Sequence, residues 1–266
     1  MSQANDLPPQ DLDQFQTLVD IMARLRHPER GCPWDLRQTH YSLRPHLLEE
    51  CYEVLEALDE GDPQKLCQEL GDLLMQIVFH MQIAAEAGEF TGEDVLRAIN
   101  SKLIHRHPHI FGQAQAKDAD EVAHRWQALK REEQGEEASL LDGIPHSLPA
   151  LASSQALQYR AAQVGFDWEI AEDIIDKLVE EVRELKEVSA PEQQAQEFGD
   201  LLFTLANLGR RLGIDLEAVL REANERFRCR FAYMEKLCNE RGLVLESLPL
   251  AEQDKLWEEA KQNIID

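Results

Sequence analysis

Apolar residues recur along this chain every three or four positions. Leu70, Leu73, Leu74, Ile77, Val78 and Met81 lie at the i, i+3, i+4, i+7, i+8, i+11 spacing of one helical stripe, and Phe198, Leu201, Leu202, Leu205 and Leu208 repeat it. Leu47, Leu48, Cys51, Val54, Leu55 and Leu58 form a third stripe, and Ile174, Ile175, Leu178, Val182 and Leu185 a fourth. Such spacing places the side chains on one face of a helix. No window alternates apolar and polar residues with β-branched enrichment and hairpin turns, so the pattern predicts an all-α protein without a sheet.

Breakers divide the helices: "GDP" at 61–63, Gly88, "HPHIFG" at 107–112, "SAP" at 189–191 and "LGID" at 212–215. The stretch "GEEASLLDGIPHSLPA", 135–150, has two prolines, two glycines and no long apolar stripe. It reads as a linker between an N-terminal domain, 1–134, and a C-terminal domain, 151–266.

The halves repeat each other. "EECYE" (Glu49, Glu50, Glu53) returns as "EEVRE" (Glu180, Glu181, Glu184), and "ELGDLL" (Glu69, Asp72) as "EFGDLL" (Glu197, Asp200). Downstream, "NSKLIHR" (Lys102, Arg106) parallels "NERFRCR" (Arg226, Arg230), and "WQALK" (Trp126, Lys130) parallels "WEEAK" (Trp257, Lys261). Glu181 follows Glu50 by 131 residues, Asp200 follows Asp72 by 128, Arg230 follows Arg106 by 124 and Trp257 follows Trp126 by 131. Order is kept, and the second copy is shorter by three residues between its acidic clusters. Three residues are close to one helical turn of about 3.6, so a loss at the hairpin leaves both faces aimed as before. The chain reads as two tandem helical bundles, each with a carboxylate-bearing helix hairpin.

Composition narrows the chemistry. A net charge of −24 argues against a holder of nucleic-acid polymer, whose affinity comes from clustered Lys and Arg. No apolar run is long enough to span a membrane, and the first residues, "MSQANDLPPQDLDQ", lack the basic and apolar regions of a secretory signal. A cytoplasmic location is the expectation. Five cysteines without a CxxC pair support neither a disulfide framework nor a zinc site.

Glu181 and Glu184 share one helix face, as do Glu197 and Asp200, and an antiparallel hairpin would bring the pairs face to face. Four crowded carboxylates need a counter-charge, and a hard divalent cation such as Mg²⁺ binds carboxylate and phosphate oxygens. Arg226 and Arg230, one turn apart, could clamp phosphates, while Trp257 with Lys261 offers a flat apolar surface beside a cation. "HRHPHIF" brings His105, His107 and His109 close, but the second copy has no matching histidines, so a helix-end packing role around Arg106 is preferred to metal binding.

ExxE followed by ExxD in a helix hairpin, doubled, with "GCPWD" (31–35) and "RHPHIF" (106–111), resembles the MazG family over nearly the whole chain, from about Leu18 to Lys261. These are all-α nucleoside triphosphate pyrophosphohydrolases, similar in their metal site to the dimeric dUTPases. The resemblance implies hydrolysis between the α and β phosphates to monophosphate and pyrophosphate, with Mg²⁺, for which Mn²⁺ can substitute, and usually as a homodimer. Carried over, Glu181, Glu184, Glu197 and Asp200 would be metal ligands of the second half, with Glu50, Glu53, Glu69 and Asp72 as counterparts. Lys177, Arg226, Arg230, Trp257 and Lys261 would hold the nucleotide, with Lys102, Arg106, Trp126 and Lys130 as the corresponding set. Glu180 or Glu184 would be the general base, and the sequence does not choose between them.

The halves differ. Lys177 is matched by His46, so the first copy lacks that permanent cation, and "QQAQ", Gln193 to Gln196, stands where the family can place a lysine. The second half is favoured as the catalytic one. Rival readings are a di-iron carboxylate bundle, which needs a repeated ExxH where the chain offers Glu121 and His124 alone, and a helical module that binds nucleotide without turnover. Substrates from ordinary to damaged or regulatory nucleotides, in housecleaning or regulation, are left open.

Overall fold

The computed structural model describes residues 8–119, 121, 122, 125, 126, 129 and 139–264. The helices run α1 (Phe15–Leu25), α2 (Arg44–Glu60), α3 (Pro63–Ala87), α4 (Gly92–Arg106) and a one-turn α5 (Pro108–Phe111), then α6 (Ala150–Ala162), α7 (Ala171–Glu187), α8 (Pro191–Arg211), α9 (Leu216–Arg241) and α10 (Leu250–Asn263). There is no strand among the described residues. No described helix is long and apolar enough to cross a membrane. The chain divides into two compact units, Met1–Glu133 and Gln134–Asp266.

Local sequence accounts for the two hairpins that matter. Gly61 ends α2 at φ +65°, a conformation L side chains avoid, and Asp62 then caps α3 by accepting from the Gln64 and Lys65 amides at 2.8 and 3.2 Å. Pro63, in the first turn of α3, gives up an amide that no helix would use. The second hairpin turns through 188–190 and enters α8 at Pro191. In each unit the hairpin pair, α2 with α3 and α7 with α8, is packed side by side, and a preceding helix (α1, α6) lies against its second member.

The core of the first unit is Met22, Leu43, Val78, Phe79 and Ile83. In the second, Met234, Leu237, Cys238, Leu256 and Ala260 join α9 to α10. The helical period is as the sequence predicts, yet much of each stripe faces outward. Leu70, Leu74 and Ile77 on α3 are 49%, 38% and 43% exposed, and their counterparts Phe198, Leu202 and Leu205 on α8 are 51%, 43% and 41% exposed.

One buried charge pins the first unit. Arg26, at the end of α1, is 7% exposed and donates from Nε and Nη2 to the Glu86 carboxylate at 3.0, 3.1 and 2.7 Å, while Nη1 donates to the Asp35 carbonyl. These bonds hold the Glu86 carboxyl below the usual glutamate range. A depressed folded-state value means that the pair stabilises fully above the ordinary glutamate value, about 4.3, and loses that contribution as pH falls through the depressed one. Glu86→Gln is expected to cost about 2–3 kcal/mol at neutral pH by leaving Arg26 without its counter-charge. Hydrogen exchange of the α1 and α3 amides would read this loss, and the difference from the parent chain should shrink as pH falls through the depressed Glu86 value. Unchanged protection at neutral pH would refute it.

Candidate active site

Glu181 and Glu184 stand one turn apart on α7, and Glu197 lies early on α8. The hairpin brings one carboxylate oxygen of each to within 4.8 Å of the others. Glu181 is 4% exposed, so its charge is expensive unless balanced. Lys177, one turn earlier, supplies part of the balance: its Nζ lies 2.8 Å from Glu181 Oε1 and 2.9 Å from Glu180 Oε1. Those two partners raise the ammonium well above its ordinary value.

The Glu197 carboxyl is pushed up by burial and by the charges of Glu184, Asp200 and Glu181, with Lys177 opposing. Asp200 thus acts on the cluster from one turn along α8 without belonging to the trio. Glu180 also lies outside it, against Lys177, with its side chain 56% exposed.

The first unit gathers a different trio. Glu50, Glu69 and Asp72 meet within the same 4.8 Å, and Glu53 stands beside them, close enough to raise Glu50 after burial and Asp72 have done so. Gln76 donates to Glu50 Oε1 at 3.4 Å, while its own Oε1 is buried with no hydrogen-bond partner. His46, in the place of Lys177, lies 3.6 Å from Glu49. Each trio occupies three of the four repeated positions, and the choices differ: Asp72 completes one and Glu184 the other. Converging carboxylate oxygens with raised Glu50 and Glu197 suit a hard divalent cation with oxygen ligands.

The basic and aromatic residues occupy other helices. Arg226 and Arg230 are on α9, with Arg226 3.7 Å from Glu222. Trp257, on α10, packs against the α9–α10 core with its ring 5.2 Å from that of Phe227, and Lys261 lies 2.6 Å from Glu258. In the first unit Lys102 is exposed on α4, whereas Arg106 is buried with its guanidinium 5.2 Å over the Trp126 ring. That stack, with His107 edge-on to Trp126, gives "HRHPHIF" a packing role at the helix end. The metal-ligand groups found among the described residues are the two acidic ones. Lys130 and His124 lie outside the described residues.

Sequence reasoning missed a cavity of about 590 Å³ beside the second trio, between α6, the α6–α7 loop and α8. Lys177 is on its wall, with Gln158, Phe166, Trp168, Thr204 and Asn207. A signal existed: "GFDWE" at 165–169 repeats "GCPWD" at 31–35, and Thr204 and Asn207 continue the Glu197 and Asp200 face of α8.

Comparison with known proteins agrees with this geometry. Residues 38–111 match the MazG nucleotide pyrophosphohydrolase domain, and residues 155–227 match the phosphoribosyl-ATP pyrophosphohydrolase domain. The nucleoside triphosphate pyrophosphohydrolase/pyrophosphatase MazG of Thermotoga maritima is 49% identical over 249 residues, covering 93% of this chain and 95% of its own. The nucleoside triphosphate pyrophosphohydrolase of Escherichia coli is 43% identical over 262 residues, covering 96% of this chain and 100% of its own. Each matched domain model contains one of the two carboxylate hairpins. With two pyrophosphohydrolase domains in tandem and relatives aligned nearly end to end, the chain belongs to the MazG family of nucleoside triphosphate pyrophosphohydrolases.

Proposed function

We propose that the second half hydrolyses nucleoside triphosphates between the α and β phosphates with the aid of Mg²⁺, which Mn²⁺ can replace. The observation that carries this reading is the Glu181, Glu184, Glu197 cluster with Lys177 poised one turn before it. Water forms the new bond to the α-phosphorus, the bond to the bridging oxygen breaks, and that oxygen leaves with pyrophosphate. When bound, the divalent ion would neutralise phosphate charge and make a coordinated water easier to deprotonate.

The chain's own residues do the rest. Glu181, Glu184 and Glu197, joined by Asp200 one turn along α8, would hold the ion. Lys177 keeps its proton and offers a fixed positive charge to the phosphates. Glu180, outside the trio, takes the proton of the attacking water, and Glu184 faces the reacting centre as a ligand. Arg226, Arg230, Trp257 and Lys261 hold the nucleotide, with Lys102, Arg106, Trp126 and Lys130 as the corresponding set of the first half. The first half, with His46 for Lys177, serves assembly more than turnover. Clearing unwanted nucleotides or adjusting a nucleotide pool in the cytoplasm fits such a reaction.

Hydrolysis in ¹⁸O-labelled water tests the bond. Monophosphate and pyrophosphate are expected, with the label in the monophosphate and no release once EDTA is present. Diphosphate and phosphate as products, or label in pyrophosphate, would overturn the assignment.

We infer further that the chain works as a homodimer. Leu70, Leu74 and Ile77 on α3 and Phe198, Leu202 and Leu205 on α8 are exposed at equivalent positions of the two copies. Water is a poor partner for such rows. A row kept in both copies suits pairing with an equal row across a two-fold axis.

A further inference from the structure

We propose that His40 and His80 form a pH-sensitive clasp, which fixes the turn before α2 to α3 in the first unit and opens when the pair takes up a second proton. Their Nδ1 atoms are 2.7 Å apart. The ring planes lie within 2° of parallel and the centroids 5.0 Å apart, a separation made up in full by the gap between the nitrogens and the two ring radii. The rings therefore meet edge to edge along one line, which is the geometry of a direct N–H···N bond rather than of two faces in contact.

Such a bond needs one nitrogen with a proton and one without. A neutral pair satisfies this, and so does a pair with a single charge: with His40 protonated, its Nδ1 donates to His80 and its Nε2 faces Glu89, whose Oε2 is 3.8 Å away. A second proton leaves two N–H groups pointing at each other and two like charges in contact. The surroundings of His80 do not relieve that state. The residue is half-buried, and its Nε2 is buried without a hydrogen-bond partner among the described residues. Burial first, and the charge of His40 second, hold the His80 imidazole below its ordinary value. Of the charged groups on the helices packed against α3, Arg26 of α1 is closed on Glu86 and Glu50 of α2 on Gln76. On α4, Asp94 is engaged by Thr91 and Arg97, and Arg106 lies over Trp126.

The clasp holds a compact turn. The Thr39 amide donates to Ser42 Oγ at 2.9 Å, the Ser42 amide to Thr39 Oγ1 at 3.1 Å and Ser42 Oγ to Gln38 Oε1 at 2.8 Å. These bonds are local, so the turn moves as one piece. It leads into Leu43, a core residue 1% exposed, and then into α2 with Glu50 and Glu53. On the other side, His80 follows Phe79 of the same core. Opening the clasp loosens the first turns of α2 from α3.

The second unit has no such pair. By the offsets of the repeat, 131 before the hairpin and 128 after it, His40 corresponds to Ala171 and His80 to Leu208. A histidine whose folded value is depressed binds its proton more readily in the unfolded chain. The stability it governs is therefore complete above the ordinary value of about 6.5 and declines as pH falls toward the depressed one. The Arg26–Glu86 pair weakens only below about 4.3, so the two windows are separate.

Hydrogen exchange of the full-length chain from about pH 7.5 to about 5.5 tests the clasp. After correction for intrinsic exchange, the opening constants of the amides at the start of α2 are expected to rise by up to about tenfold per pH unit below about 6.5, the limit for one proton. His80→Leu, which brings in the residue of the second unit, and His40→Asn, which keeps a hydrogen-bonding group that does not titrate, should each flatten the rise. A level profile in the parent, or the same rise in either variant, would overturn the clasp. Should the variants fail to fold, ¹⁵N spectra of the histidine side chains of the parent decide. Two separated protonation steps shared by the two rings are expected, and two independent steps at the ordinary value would overturn the proposal.

Discussion

Glu184→Gln is expected to leave pyrophosphate release at least roughly a hundredfold below that of the parent chain. Glutamine preserves the size of the side chain and its place on α7, but it replaces a charged oxygen by an amide nitrogen, which no cation accepts as a ligand. The trio of Glu181, Glu184 and Glu197 would fall to two carboxylates. Half-buried Glu184 has no core role to lose, so the melting temperature should stay within a few degrees. Glu53→Gln, the same change in the first half, should leave release nearly intact, because the Glu50, Glu69, Asp72 group has His46 where the other has Lys177. Steady-state release from one triphosphate with saturating Mg²⁺ decides the matter. Loss with Glu53→Gln and survival with Glu184→Gln would move the chemistry to the first half.

The second large effect concerns assembly. Leu202→Glu combined with Leu74→Glu should turn a dimer into a monomer at micromolar concentration, as read by sedimentation. Both leucines are exposed in the single chain, 43% and 38%, so the exchange should cost the isolated fold little. Burying one leucine is worth about 1.5–3 kcal/mol, and a glutamate in its place must be stripped of water as well. Two such changes per chain raise the dissociation constant by well over a hundredfold. An unaltered mass would place the interface on a different face, and a monomeric parent would remove the proposal.

The sequence made the helices, the hairpins and the carboxylates legible because each rests on short-range rules. "GDP" at 61–63 carries a left-handed glycine, an N-cap and a first-turn proline in three consecutive residues, and the ExxE and ExxD spacings can face one way only on a helix. What a stripe meets is another matter. Leu70, Leu74 and Ile77 have the same period as buried Val78 and Met81, and the period says nothing about whether the covering surface belongs to the same chain. The composition of each trio was also out of reach, since Glu184 and Asp72 enter through side-chain torsions that spacing leaves free. The cavity was hardest to see. Gln158, Phe166 and Asn207 come from three elements, and "GFDWE" differs from "GCPWD" at three of five positions. Arg106 shows the opposite case: a helix-end packing role was legible from proline and the missing histidines of the second copy, and the ring that it covers is Trp126.

The outward apolar rows occur once in each unit, so the proposed pairing through them would make the chain bivalent. If each row pairs with an equal row on a second chain, closing the first contact confines the second pair of rows to a small volume, and the second contact forms at an effective concentration set by the connecting segment rather than by the amount of protein in solution. Two individually weak contacts would then hold as tightly as one strong one. The same bivalency offers a less welcome outcome, since two rows that engage two different partners begin a chain of molecules instead of closing a pair. The length and stiffness of the stretch that joins the units decide between these ends, so shortening that stretch should shift the protein from closed dimers to larger assemblies without touching any carboxylate.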